Sequence, residues 1–253
     1  VNLRKCIMAS MGPRQEPILV RDEDPGYAPE SFVIDGQYES LVDRVLIPHG
    51  VVIDRIAKLA QIILADYDGV TVHLLSVLKG GSAFFEDLCS QLRTMHCHSR
   101  KTHIPFTFDF IRVKSYEGME STGKVQISGV DLSSLNGKHC LLVEDLVDTG
   151  TTMTQLTAHL REQAKTQTIR VASLIEKRTE RSCGFKADYV GFSIPDEFII
   201  GYNMDYNEAF RDMQHICVIN QRGIEAFADG IPQAGGGASS SGGGEGAQAG
   251  KAE

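Results

Sequence analysis

Short apolar runs alternate with amphipathic stretches along this chain, and that alternation limits its fold more than any other feature. Val72–Leu78, flanked by Gly69 and by Gly80-Gly81, reads as a buried strand. His139–Glu144 and Ile169–Glu176 read the same way, and another strand, Tyr189–Ile194, follows. Helical spacing lies between the strands. From Pro48, Ile53, Ile56, Leu59 and Ile63 mark one face; Phe84, Leu88, Leu92 and Met95 mark a second helix; Met153, Leu156, Leu160 and Ala164 mark a third over Thr151–Lys165. In Ile104–Val113, Phe106, Phe108 and Phe110 alternate with polar partners, the pattern of a half-buried strand. Strands joined by helices of this length are βαβ units. They predict an α/β fold, a mainly parallel sheet flanked by helices. Ligands of such sheets bind beyond the carboxyl ends of the strands.

One domain is expected over residues 17–229. Residues 230–253 hold nine of the 25 glycines among Ser, Ala and Gln, a composition unable to bury enough apolar surface to offset ordering entropy. They are expected to form a disordered tail, and residues 1–16 a loose extension. The formal charge of −8 gives no global basic field, so nothing in bulk composition supports nucleic-acid binding, and no apolar stretch is long enough to span a bilayer. The N-terminal apolar stretch is too short for a secretory core. Cys6, Cys89, Cys97, Cys140, Cys183 and Cys217 are scattered without a CxxC pair, which points to free thiols in a reducing cytoplasm. His96-Cys97-His98 with His103 lacks zinc-ligand spacing and is expected to be a solvated loop. Lys114–Gly129 is polar, contains glycine and has no sustained period, as suits a lid.

The most informative segment is VEDLVDTGTT, residues 143–152. An apolar strand runs into Glu144 and Asp145, then Asp148, then a Thr/Gly turn and a helix. Such a turn presents unpaired backbone N–H groups and the positive end of a helix dipole, an anion cradle to which Thr149, Thr151 and Thr152 add hydroxyls. An ordinary helix cap at Asp148 or Thr149 is the plainer alternative, but it leaves Glu144-Asp145 unexplained. Adjacent acids at a strand end are costly if dry, so they should face solvent, a metal or ligand hydroxyls. Acids for a sugar diol and a cradle for a phosphate together suit a ribose 5-phosphate.

VEDLVDTGTT resembles the phosphoribosyl-pyrophosphate signature of type I phosphoribosyltransferases. SVLKGG (Ser76–Gly81), FIRVKSY (Phe110–Tyr116), EKRT (Glu176–Thr179) and PDEFIIGYNMDYNEAFRD (Pro195–Asp212) follow that family's order and spacing. The resemblance covers roughly residues 18–222 and lies with the hypoxanthine-guanine branch of animal type. It implies a hood subdomain built from the N-terminal segment and the region around Tyr189–Tyr206. It also implies Mg²⁺-dependent transfer of phosphoribose from 5-phosphoribosyl 1-pyrophosphate to N9 of hypoxanthine or guanine, in a homodimer or homotetramer. The alternative is a catalytically weak relative that binds nucleotide as a regulator; the presence of Asp148 opposes it.

Carried onto this chain, the resemblance gives Glu144 and Asp145 the ribose hydroxyls and residues 148–152, including Gly150, the 5′-phosphate. Asp148 becomes the catalytic proton acceptor beside purine N7. Lys79, Gly80, Arg211, Ser115 and Tyr116 would hold pyrophosphate, with Lys114 in the closing lid. Lys177, Phe198, the Ile199 backbone and Asp205 would meet the purine, and Glu144, Asp145 and Asp205 would place the metal. The peptide before Lys79 would be cis. Asn203 and Met204 stand near the expected purine edge without specifying whether xanthine is accepted. Thr151 departs from the lysine found there in vertebrate relatives, removing a cation from the phosphate loop.

Overall fold

A computed structural model describes residues 16–98, 105–115 and 125–231, with backbone alone at His98, Lys114, Ser115, Val125 and Gln126. Most of both termini, His103, Tyr116 and most of the expected lid lie outside the described residues. The chain starts with an edge strand β1 (Ile18–Leu19), then α1 (Gly36–Glu39), β2 (Val42–Ile47) and α2 (His49–Asp66). Next come β3 (Val72–Leu78), α3 (Ser82–His98), β4 (Thr107–Ser115), β5 (Val125–Ser128) and β6 (His139–Val147). They are followed by α4 (Thr151–Gln163), β7 (Thr168–Arg178), β8 (Tyr189–Pro195), β9 (Ile199–Ile200), β10 (Ile216–Ile219) and α5 (Gln221–Ala226).

Seven strands form the main sheet in the order β1-β8-β7-β6-β3-β4-β5, parallel throughout except for the antiparallel pair β4/β5. This is the expected α/β architecture. Alternate side chains divide between the faces. Leu74, Leu141 and Leu174 pack with Ile56, Leu59 and Ile63 of α2 and Phe84, Leu88 and Leu92 of α3. Leu75, Leu142 and Val171 pack with Met153, Leu156 and Leu160 of α4. Both faces of β6 are therefore covered, which is why its interior is apolar at every position rather than alternating. Among the described residues no helix is long and apolar enough to cross a membrane.

A small antiparallel sheet, β2-β10-β9, forms the hood with its own core of Tyr38, Val42, Val45, Ile200, Phe210 and Cys217. As expected, the hood draws on the N-terminal part of the chain, through β2, and on the 189–206 region, through β9; Tyr189–Pro195 itself is a strand of the main sheet, and β10 completes the hood. Sequence periodicity missed β2 and β10 because each finds its partner far along the chain, Val42 opposite Ile219.

Three further expectations shift. On α2 the buried face includes Val52, Arg55 and Ala60, while Ile53 is half exposed. Arg55 enters this face because its guanidinium donates to the carbonyls of Gly191, Val190 and Glu16 at 2.9 Å. His96 to His98 close α3 rather than forming a loop. On β4 the aromatic side faces outward. Phe108 and Phe110 are 45% and 40% exposed, whereas Ile111 is fully buried. Phe85 of α3 meets both rings edge-on, at 5.5 and 5.3 Å, and leaves the rest of each ring uncovered.

A two-sided core strand tolerates no void. Replacing Leu141 by Ala is expected to lower unfolding free energy by roughly 2–5 kcal/mol, read from urea denaturation, with a loss below ~1 kcal/mol contradicting this packing.

Candidate active site

From β3 the chain leaves toward β4, and from β6 it leaves toward β7, so strand order reverses between these neighbours. The carboxyl ends of two adjacent strands that part in this way open a crevice. The β3 end supplies Leu78–Gly81, with a cis peptide between Leu78 and Lys79. The β6 end supplies Glu144 to Gly150. The two come very close: a methyl group at Gly80 would overlap the Asp145 carboxylate, with Cγ only 2.7 Å away. Any residue larger than glycine would push this loop off the acid.

β6 extends to Val147, so Glu144 and Asp145 lie within the strand rather than beyond it. Leu146 and Val147 stay in register with Ile175 and Glu176 of the long β7. Asp145 is buried and Glu144 half-buried, and one Glu144 oxygen, Oε2, has no partner. Burial, and then repulsion from Asp145, raises the Glu144 carboxyl well above the usual carboxylate range. Burial also raises Asp145, against the downward pull of the bonds it accepts from Glu144 and from the Leu146 N–H at 2.9 Å. The pair is a costly feature with a buried oxygen left without a partner.

The phosphate-loop expectation meets a favourable geometry. The N-cap of α4 is Gly150 at φ +82°, and no side chain caps the helix. The ladder starts at Thr154 N–H to Gly150 O, 2.9 Å, so the N–H groups of Thr152 and Met153 have no acceptor within the helix. Thr149 Oγ1 reaches the Thr151 N–H at only 3.4 Å. Capping therefore does not account for Asp148. Its carboxylate instead faces Lys177 Nζ at 3.6 Å and Arg181 Nη2 at 3.4 Å.

Lys177, at the end of β7, is 8% exposed, and its ammonium stands 5.9 Å from the centroid of the Phe198 ring. Neither neighbour fits a solvated surface pair, because Arg178 also donates to Val20 O and Asp22. Phe198 is 48% exposed and meets Tyr206 edge-on at 5.3 Å, an open ring face rather than a core side chain. Ile199 is buried in β9 opposite Val218.

On the pyrophosphate side, Lys79 Nζ pairs with Glu208 Oε2 at 2.9 Å, and Arg211 pairs with Asp205 at 2.8 Å and Glu208 at 3.4 Å. Asp205 also accepts from the Glu208 N–H at 2.8 Å. Among the described residues, no group of three His, Cys, Asp or Glu side chains converges as a metal cage would require, and Asp205 is engaged by Arg211. Ser115 ends β4, and Tyr116 lies outside the described residues.

Sequence reasoning missed Arg181, whose guanidinium bridges Asp148 and Asp196, since it stands just past EKRT with no period to mark it. It also missed Arg44, which holds Glu197 through two 2.6 Å bonds beside Phe198. Met204 is buried in the core, and Asn203 donates to the loop after β3.

A parallel sheet whose switch point carries paired acids and an open helix N-terminus defines a binder of phosphorylated sugars or nucleotides. The phosphoribosyl transferase domain family matches residues 47–207. The hypoxanthine-guanine phosphoribosyltransferases of Bos taurus and Homo sapiens are each 45% identical over 214 residues, spanning 84% of this chain and 97% of the relative. A crystal structure of hypoxanthine-guanine phosphoribosyltransferase from Schistosoma mansoni in complex with IMP superposes with a TM-score of 0.73. It is 34% identical and covers 84% of this chain and 99% of that one. The chain belongs to the phosphoribosyltransferase family.

The acid pair generates a stability prediction. Since the folded Glu144 carboxyl holds its proton to a higher pH than the unfolded one, its contribution is fullest below the unfolded value near 4.5 and is lost as pH rises through the folded value. Glu144→Gln is therefore expected to raise the melting temperature of the ligand-free protein at pH 7–8 by about 2–4 °C, the shift that ~1 kcal/mol produces in a domain of this size. The gain should shrink toward pH 4. Calorimetric scans across pH check this, and an equal or negative shift at pH 8 would count against a strained pair.

Proposed function

We propose that this enzyme transfers the phosphoribosyl group of 5-phosphoribosyl 1-pyrophosphate to N9 of hypoxanthine or guanine, forming IMP or GMP and pyrophosphate in purine salvage. One observation carries the reading: the switch-point crevice joins a buried acid pair and an uncapped helix N-terminus to a buried lysine beside an open aromatic face.

Glu144 and Asp145 bind the ribose hydroxyls, and the N–H groups and hydroxyls of Asp148–Thr152 bind the 5′-phosphate. Phe198 stacks on the purine, the Ile199 backbone and Asp205 border it, and Lys177 donates to its 6-oxo group. A buried ammonium needs an acceptor, and the 6-amino group of adenine would leave it unpaired, at ~1–3 kcal/mol or more. Asp148, beside Lys177, accepts the N7 proton as N9 bonds to ribose. Lys79, the Gly80 backbone and Arg211, with Ser115 and Tyr116, hold the departing pyrophosphate.

Mg²⁺ fits this arrangement. It is commonly bound by one or two carboxylates together with substrate phosphates and water. Glu144 and Asp145, with an unpartnered oxygen and raised proton affinity, supply such a pair. When bound, the ion neutralises charge on the leaving group. Assembly as a homodimer or homotetramer belongs to the same reading, supported by the exposed, edge-to-face ring pair Phe108 and Phe110 on β4. So does a cytoplasmic setting, supported by five free cysteines among the described residues.

Initial rates with hypoxanthine, guanine, xanthine and adenine, with and without donor and Mg²⁺, test the assignment. Turnover of the first two that requires donor and metal is expected, and no turnover of any 6-oxopurine would refute it. Asp148→Asn keeps the shape but cannot take the proton. Its kcat is expected to fall roughly 10²–10⁴-fold, with little change in donor KM. A kcat within a few-fold of wild type would remove Asp148 from the proton transfer.

A further inference from the structure

The two groups of residues that face pyrophosphate belong to different layers. Lys79–Ser82 leaves the main sheet, whereas Asp205 and Arg211 ride on the loop between β9 and β10 of the hood. One side chain ties them together. Asn203 Nδ2 lies 2.9 Å from Lys79 O, 3.1 Å from Gly80 O and 2.6 Å from Ser82 Oγ. Two of these acceptors are carbonyl oxygens, which cannot donate, so the amide must present its nitrogen to the loop. The same residue is fastened to the arginine. Arg211 Nη1 donates to Asn203 O at 2.7 Å, and the Asn203 N–H donates to Arg211 O at 3.1 Å. Asn203 sits at φ +70°, the left-handed region that asparagine tolerates better than most side chains.

Building on the proposed transferase reading, we infer that Asn203 is a positioning residue for pyrophosphate: its amide fixes the Lys79–Ser82 loop at a set distance from Arg211. Among the described residues, the other side-chain bonds that join the two layers near this point are the exposed Lys79–Glu208 ion pair and the bond from the Tyr202 hydroxyl to Asp87 of α3, and neither holds the backbone at Gly80. Ion pairs between exposed groups contribute little to fixing a geometry. A diphosphate binds tightly when its donors are already in place, because their ordering then costs nothing at the moment of binding. Nothing in the clasp touches Lys177 or Phe198, so its effect should be confined to the pyrophosphate end.

Two substitutions preserve the left-handed backbone while removing the donor. Asn203→Gly deletes the amide, and Asn203→Asp keeps its shape but turns an acceptor toward two carbonyls. Pyrophosphate binding by calorimetry, with Mg²⁺ present, and KM values for donor and hypoxanthine should be measured for both alongside wild type. The expected result is a loss of about tenfold in pyrophosphate affinity with a similar rise in donor KM for Asn203→Asp, and smaller changes in the same sense for Asn203→Gly. Hypoxanthine KM and melting temperature should stay near wild type. Because aspartate also adds charge, Asn203→Gly decides any disagreement, and it alone decides if Asn203→Asp does not fold. Pyrophosphate affinity within twofold of wild type in Asn203→Gly, or an equal loss for hypoxanthine, overturns the inference. Failure of the wild-type protein to transfer phosphoribose would overturn the functional reading instead, and the binding measurement keeps the two failures apart.

Discussion

Burial of β6 on both faces sets the geometry of the crevice. Cys140 to Val143 are fully enclosed between the α2/α3 layer and α4, and β3 and β7 flank them in parallel. A strand so enclosed has one place where polar side chains can reach solvent, its carboxyl end. The acids therefore fall there, beside the end of β3, because both strands run the same way and the chain departs from them in opposite directions. Glycine at position 80 then allows the β3 loop to close against Asp145. Pyrophosphate loop, acid pair and phosphate cradle are adjacent because of one packing constraint, although they lie some 70 residues apart in sequence.

That closeness has a cost. Two carboxylates side by side, one with an oxygen lacking any partner, weaken the ligand-free fold: burial raises the proton affinity of both, and Asp145 raises that of Glu144 further. A helix N-terminus left without a capping side chain is a second local sacrifice, since such a cap commonly contributes ~1 kcal/mol. Both sit where a ligand would satisfy them, one needing a cation or hydroxyl donors and the other an anion. Folding preferences violated at two neighbouring points, in complementary senses, mark a binding site more firmly than either would alone.

Much of this was legible in the sequence because the main sheet is built from local signals. Continuous apolar runs gave β3, β6 and β7, and three- and four-residue spacing gave α2, α3 and α4. The segment around Glu144–Thr152 stood out because its residue types conflict with ordinary strand and cap chemistry. What stayed hidden depends on distant partners. VDRVLI at 42–47 carries no strict alternation and becomes a strand only against Ile216–Ile219. Phe108 and Phe110 alternate as buried residues do, yet α3 reaches them only through Phe85 and leaves both exposed. Asn203 looked like part of a purine edge, and the carbonyl groups that its amide meets lie more than 120 residues earlier.

The charges at the crevice explain how a chain of net charge −8 can hold a polyanionic donor. Among the described residues, the cations proposed to face it are each paired with an acid. Lys79 stands with Glu208, Arg211 with Asp205 and Glu208, Lys177 with Asp148, and Arg181 with Asp148 and Asp196. Each of these cations thus already has a carboxylate partner, and an entering phosphate exchanges with that carboxylate. An exchange of this kind gains less from simple attraction than an open basic groove would. It therefore favours ligands that match the spacing of the pairs over polyanions in general. Selectivity here follows from the positions of the acids as much as from those of the bases.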